Sequence, residues 1–258
     1  MSKLWPRELY TLGGAPGAIA LIALSQAKLP DPLPVSRKRH GMPEGSDSAG
    51  AIAVVARDRG EQPAWFVEQV VAPFADLIAS DLGAAAAAQA LDAQHAYVIE
   101  GELDDPDDLG HIQAAWALAK CVCEEGASIV IDVYAARAHL GAEVAALAPD
   151  REFDVMHEVT LFFDEAGDGT LAAWSLGLCK FGRPDLVVLG IAPDGGTEAA
   201  LLLRDIAAQL ADGERIEPGD EVSGFVAQRF ETAMAPVVAV ERDAIVLAQI
   251  ARPSSIAP

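Results

Sequence analysis

The chain has 258 residues, 52% of them apolar, and a formal charge of −21 from 18 Lys+Arg against 39 Asp+Glu. That apolar share excludes a disordered chain, which cannot bury enough surface to offset its entropy. The acid excess argues against nucleic acid and anionic membranes, which are bound through Lys/Arg clusters, but leaves basic partners open, because a strong field speeds encounter with opposite charge. No apolar run approaches the ~20 residues that span a bilayer.

Lys3 and Arg7 precede an apolar run, Ala15 to Leu24, and Ser25-Gln26-Ala27 has the small residues of a leader cleavage site. Glu8 within the would-be basic region, and Pro16 and Gly17 within the run, point instead to a buried strand over Ile19 to Leu24. Residues 28–50 are rich in Pro, Gly and Ser and hold the basic run Arg37-Lys38-Arg39-His40. They read as a linker or long solvated loop. The organisation expected is an N-terminal strand and linker over residues 1–50 and a main domain over 51–258.

Ala51 to Ala56 and Trp65 to Val71, separated by a polar Gly-containing loop, predict a hairpin. Pro73 suits the first turn of a helix reaching about Ala93, with a break at Gly83. His95 to Glu100 predicts a strand, and six carboxylates follow between Glu100 and Asp108. Asp107 and Asp108 stand where a helix begins, so they are expected to cap its free N–H groups. Leu109, Ile112, Trp116, Ala119 and Cys123 recur at helical spacing, and Gly126 stops that helix.

Ile129 to Tyr134 predicts a buried strand, and His139 to Leu147 a short helix stopped by Pro149. Val155 to Phe163, the turn Asp164 to Gly169 and Thr170 to Leu178 predict an antiparallel hairpin. Leu186 to Ile191 predicts a central strand, and Thr197 to Leu210 an amphipathic helix closed by Gly213. Val237 to Val240 and Ile245 to Ile250 predict a last hairpin. Hairpins require antiparallel pairing, so the fold expected is α+β, a mixed, largely antiparallel sheet with helices packed on it.

The common catalytic signatures fail on physical grounds. Leu12 to Gly17 is Gly-rich, but it lacks the phosphate-binding lysine and Pro16 removes an N–H. Ser175 sits in an elbow-like Ala-Trp-Ser-Leu-Gly, yet no helix can follow through Gly182 and Pro184 and no histidine occurs after His157. Cys121 and Cys123 are two apart on a helix, about 200° around its axis, so they cannot readily share a zinc ion. His157-Glu158 lacks the second histidine of a zinc helix, since position 161 is Leu. The five histidines are scattered along the chain, and only the fold could bring them together. Asp164 to Gly169 resembles a calcium loop, but Ser175 stands where its bidentate Glu belongs. No metal or cofactor is expected. Three cysteines, an odd number, suit a reducing cytosol.

The most distinctive stretch is Gly177-Leu178-Cys179-Lys180-Phe181-Gly182-Arg183-Pro184-Asp185-Leu186. Lys180 and Arg183 could hold an anion, a guanidinium matching a carboxylate bidentately; alternatively they pair with the chain's own acids. Together with Glu158 to Phe163 and the acidic turn, this motif resembles a bacterial family, domain-of-unknown-function family 4261, over roughly residues 64–211. The histidine before the strand near Ile99, the Trp116 helix and the Ile129 to Tyr134 strand share that resemblance. It implies the α+β fold and a bacterial, cytosolic setting, and transfers no catalytic residue.

Two main readings of function follow. The first is a non-enzymatic acidic binding, adaptor or neutralising protein acting on a basic protein partner. The second is an enzyme or small-ligand sensor with His157 and Glu158 supplying a base and Lys180 and Arg183 an anion clamp. A structural, homo-oligomer-forming role is the third.

Overall fold

The computed structural model describes residues 4–151, 153–166, 169–229 and 244–249. Helices take up 36% and strands 29%, and the strands pair mostly antiparallel, which makes the fold α+β as expected.

The first sheet is antiparallel throughout. Its strands β1 (Gly17–Ser25), β2 (Ala53–Asp58), β3 (His95–Leu103), β4 (Ile129–Asp132) and β5 (Arg137–Leu140) lie in the order β2-β3-β1-β4-β5. The N-terminal apolar run is therefore the middle strand, with Leu21 opposite Ile99 on one side and Asp132 on the other. Its side chains alternate between two cores, as a period of two requires. Ile19, Leu21 and Ala23 enter the main core, whereas Ile22 and Leu24 enter a second one.

The helices of this half are α1 (Arg37–His40), α2 (Pro63–Trp65), α3 (Ala75–Leu82), α4 (Ala84–Leu91), α5 (Gly110–Glu124) and α6 (Gly141–Ala146). The second core lies between the sheet and α3, α4 and the wide helical turn Phe66–Val71 that continues α2. The other face packs on α5. That helix was expected to present one apolar stripe, yet it is buried on nearly every side, from Gly110 through Cys123 except Lys120. Small alanines on its remaining faces let neighbouring elements approach, α6 among them.

After α7 (Val155–Glu158) comes a six-stranded sheet of β6 (Thr160–Glu165), β7 (Leu171–Leu176), β8 (Asp185–Ile191), β9 (Glu221–Val222), β10 (Phe225–Arg229) and β11 (Ala244–Gln249). The order is β6-β7-β8-β11-β10-β9, and only β8 and β11 run parallel. Helix α8 (Gly196–Ala211) turns Leu203, Ile206, Ala207 and Leu210 into the main core. That core is continuous through both sheets, α5 and α8, with Phe181 and Leu178 between them.

Several expectations are corrected. Trp65 to Val71 is helical and forms no hairpin with β2, which pairs with β3 instead. Pro63 opens the turn, and Phe66, Val70 and Val71 then meet the second core from one side of it. The stretch from Val155 begins with a helical turn, because the Asp154 carboxylate accepts the Met156 N–H and caps it; the strand starts at Thr160. His139 lies in β5, and the helix expected from there starts at Gly141, where a Cβ would collide with the Ala127 carbonyl oxygen. The basic run of the linker is a single helical turn, capped by Ser36 and by Gly41 in left-handed geometry, with His40 buried. In the C-terminal hairpin, Val237 to Val240 lie outside the described residues. Ala244–Gln249 inserts between β8 and β10.

The free edge of β5 is blocked from within. The Ala138 and Leu140 N–H groups donate to the carboxylates of Asp81 and Glu143. Side-chain acceptors at those positions leave little for a foreign strand to pair with.

Candidate functional site

The seam between the two sheets is tied by charge. Lys180 lies on the single turn Leu178–Phe181 after β7, which Gly177 and Gly182 bracket with positive φ values of 118° and 64°. Both glycines are required there, because a Cβ would strike the Glu158 carbonyl in one case and the Ala15 carbonyl in the other. The turn carries the Lys180 ammonium into the interior, where it has no exposure at all. It donates to Asp132 Oδ2 and to Glu158 Oε2, each at 2.6 Å. Asp132 ends β4 of the first sheet, and Glu158 ends α7 just before the second.

Neighbouring groups hold both carboxylates in place. Asp132 Oδ1 accepts the N–H groups of Tyr134 and Ala135. Burial opposes ionisation of Glu158, but the Lys180 charge and the His157 hydrogen bond outweigh it and hold its pKa down at about 2. Burial likewise works against the charged form of Lys180, yet Asp132 and Glu158 keep it above its ordinary value.

Three of the five histidines gather around this ion cluster. His157 Nδ1 lies 3.1 Å from Glu158 Oε1, with the side chain 31% exposed. Its ring stacks on His139 at 5.3 Å and meets Trp116 edge-on at 4.7 Å. His111 Nε2 hydrogen bonds the Lys180 carbonyl at 2.8 Å. Burial pushes the pKa of His111 down to about 4; burial, with the neighbouring His157, does the same for His139. Arg137 Nη1 donates to the carbonyls of Met156 and His157 and so fastens α7 to β5.

The structure thus brings His157, Glu158 and Lys180 together and places Arg183 elsewhere. Arg183 donates to Asp105 Oδ1 and to the carbonyls of Gly182, Gly213, Glu214 and Thr11. Asp105 is held from the other side by the N–H groups of Gly13 and Gly14. Although burial opposes its charge, Arg183 and these amides keep its pKa below the usual carboxylate range. The anion that each cation meets is therefore a carboxylate of the chain itself. Nearby, Arg7 reaches four carbonyls, of Ala211, Leu210, Phe181 and Pro106, and ties the N-terminal arm to the end of α8.

Asp132, His139, Trp116 and Arg137 were not read from the sequence as site residues. Only Asp132 left a signal there, as an acid closing the otherwise apolar strand Ile-Val-Ile-Asp. Chemically, the sealed ammonium offers nothing to solvent, whereas His157 is an imidazole oriented by a carboxylate and open on one side. Among the described residues no three His, Cys, Asp or Glu side chains converge so as to hold a metal ion. Among them, too, no helix is long and apolar enough to cross a membrane. No family model matches the chain, and no curated protein or solved structure matches it either.

Proposed function

We propose that this chain is a non-enzymatic acidic binding protein, an adaptor or neutralising partner for a basic protein. One observation supports the reading. Among the described residues the buried cations are Arg7, Lys180 and Arg183 and the buried acids Asp132, Glu158 and Asp185, so the two sets cancel. Among the described residues the acid excess is therefore carried by side chains at least partly open to water, where its field reaches a partner. The cations of the candidate site meanwhile point inward, onto acceptors of the chain itself. Three cysteines, an odd and low count, suit a reducing, cytoplasmic compartment. The bacterial setting rests on the Gly177 to Leu186 motif and on no family-model match.

The test is capture of basic proteins at two salt concentrations. Going from about 0.01 M to about 1 M ionic strength shortens the screening length from about 30 Å to about 3 Å. Retention should collapse across that range, and retention that ignores salt sinks the reading. A second reading, a small-ligand enzyme or sensor, is favoured by the exposed edge of His157 beside Glu158. It requires a ligand whose binding or turnover is lost in His157→Asn while the fold persists.

A further inference from the structure

The edge strands β5 and β6 face one another across an open cleft of about 340 Å³, walled on its third side by α3. Its lining includes Leu77, Ser80, Asp81, Arg137, Thr160 and Phe162. We propose that this cleft binds a small zwitterion, an α-amino acid with an apolar side chain. The proposal goes beyond the partner reading and does not depend on it.

The two charges are both fixed before any ligand arrives. Asp81 Oδ2 accepts the Ala138 N–H at 2.8 Å, which orients the carboxylate and leaves Oδ1 for an ammonium group. Arg137 is anchored through Nη1 on the Met156 carbonyl at 2.8 Å, while Nη2 reaches the Val159 carbonyl only at 3.5 Å. The rest of its donor edge is available to a carboxylate. Asp81 and Arg137 line one cleft, and among the described residues no ion pair joins them. A ligand carrying both charges complements each of them, whereas an amine alone or an acid alone leaves one unmatched.

Other features of the cleft agree. Leu77 and Phe162 form an apolar wall for the ligand's side chain. Thr160 Oγ1 is buried there without a hydrogen-bond partner among the described residues. Ala136, also in the lining, has φ +47°, a conformation that residues with a Cβ rarely adopt and that strained functional loops often contain. A seam between two packed units is also a common place for a ligand pocket.

L-Leucine is the probe, titrated into the full chain. Phe162 stacks on Trp174 at 5.6 Å, so tryptophan fluorescence reports occupancy, and melting temperature provides a second readout. Leucine should give a saturable change in both, with isoamylamine and 4-methylpentanoate each about tenfold weaker or worse. Asp81→Asn keeps an acceptor for Ala138 but loses the charge, and should weaken leucine by about tenfold or more. Ser80 is exposed, so Ser80→Phe is expected to fold and to abolish binding by filling the mouth of the cleft. The proposal is overturned if leucine gives no saturable change, if both variants bind it as the parent chain does, or if the amine or the acid alone binds equally well.

Discussion

Replacing Lys180 by Met removes the one cation that two buried carboxylates share. Both contacts are 2.6 Å, and the three side chains are 0%, 0% and 2% exposed, so water cannot substitute for the lost ammonium. Removing one partner of a buried pair costs about 3–5 kcal/mol. An independent route gives the same scale. The Glu158 pKa lies at about 2 against an ordinary 4.5, and at 1.36 kcal/mol per unit this is on the order of 3 kcal/mol. For a chain of this size the melting temperature should fall on the order of 10 °C. The pH dependence carries the sign. In the parent chain the depressed Glu158 contributes fully above pH 4.5, and this contribution is lost as pH falls from 4.5 towards 2. In Lys180→Met burial of Glu158 is opposed only by His157, so the freed carboxylate protonates at a higher pH than in the parent chain. The gap between variant and parent should therefore narrow on acidification from neutral pH. Urea unfolding of both proteins at several pH values measures it. A loss below about 1 kcal/mol, or one that stays constant with pH, refutes the tie.

Two histidines set a second window. His111 and His139 take up protons only near pH 4 in the folded chain, against 6.5 when unfolded. Their contribution is present above pH 6.5 and is lost as pH falls from 6.5 to 4, each on the order of 3 kcal/mol at most. Stability that stays flat between pH 7 and 5 contradicts this, and His139→Phe, which keeps a ring against Trp116, should remove one share of the slope. Gly177→Ala should lose about 1–3 kcal/mol through backbone strain and more from collision with the Glu158 carbonyl. Gly169→Ala has a comparable positive φ but nothing within 4 Å, so equal losses in chemical denaturation dismiss the collision argument. Burial raises Cys121 and Cys123 to about 11 and 12, so a thiol reagent at neutral pH should spare both until the chain unfolds.

How much was legible depends on the range of the force involved. The helix from Leu109, the hairpin of β6 and β7 and the strand at Leu186 follow from local period and turn chemistry, and the structure contains them. Trp65 to Val71 misleads because a short stretch with apolar residues at both ends suits a strand as well as a helix, and Pro63, two residues before it, decides the matter. Pairing partners were harder to read. That β1 lies between β3 and β4 depends on contacts with residues far along the chain, and neither periodicity nor composition encodes them.

The ion cluster shows the same limit at the level of chemistry. Lys180 and Glu158 stand out in the sequence because each sits beside residues with special geometry or charge. Asp132 is separated from Lys180 by 48 positions, and only the folded sheet brings the two together. Once it does, the distinction between an anion clamp and an internal pair rests on supply. A chain with 39 acids folds Lys180 and Arg183 against carboxylates already at hand, and the nearest acid reaches a buried cation before any solute can. Cations that escape this capture are the informative ones. Arg137, anchored mainly by backbone carbonyls and lining an open cleft opposite Asp81, is in that position. The place to look for a ligand is therefore the seam between β5 and β6, a short step from the residues whose chemistry first drew attention.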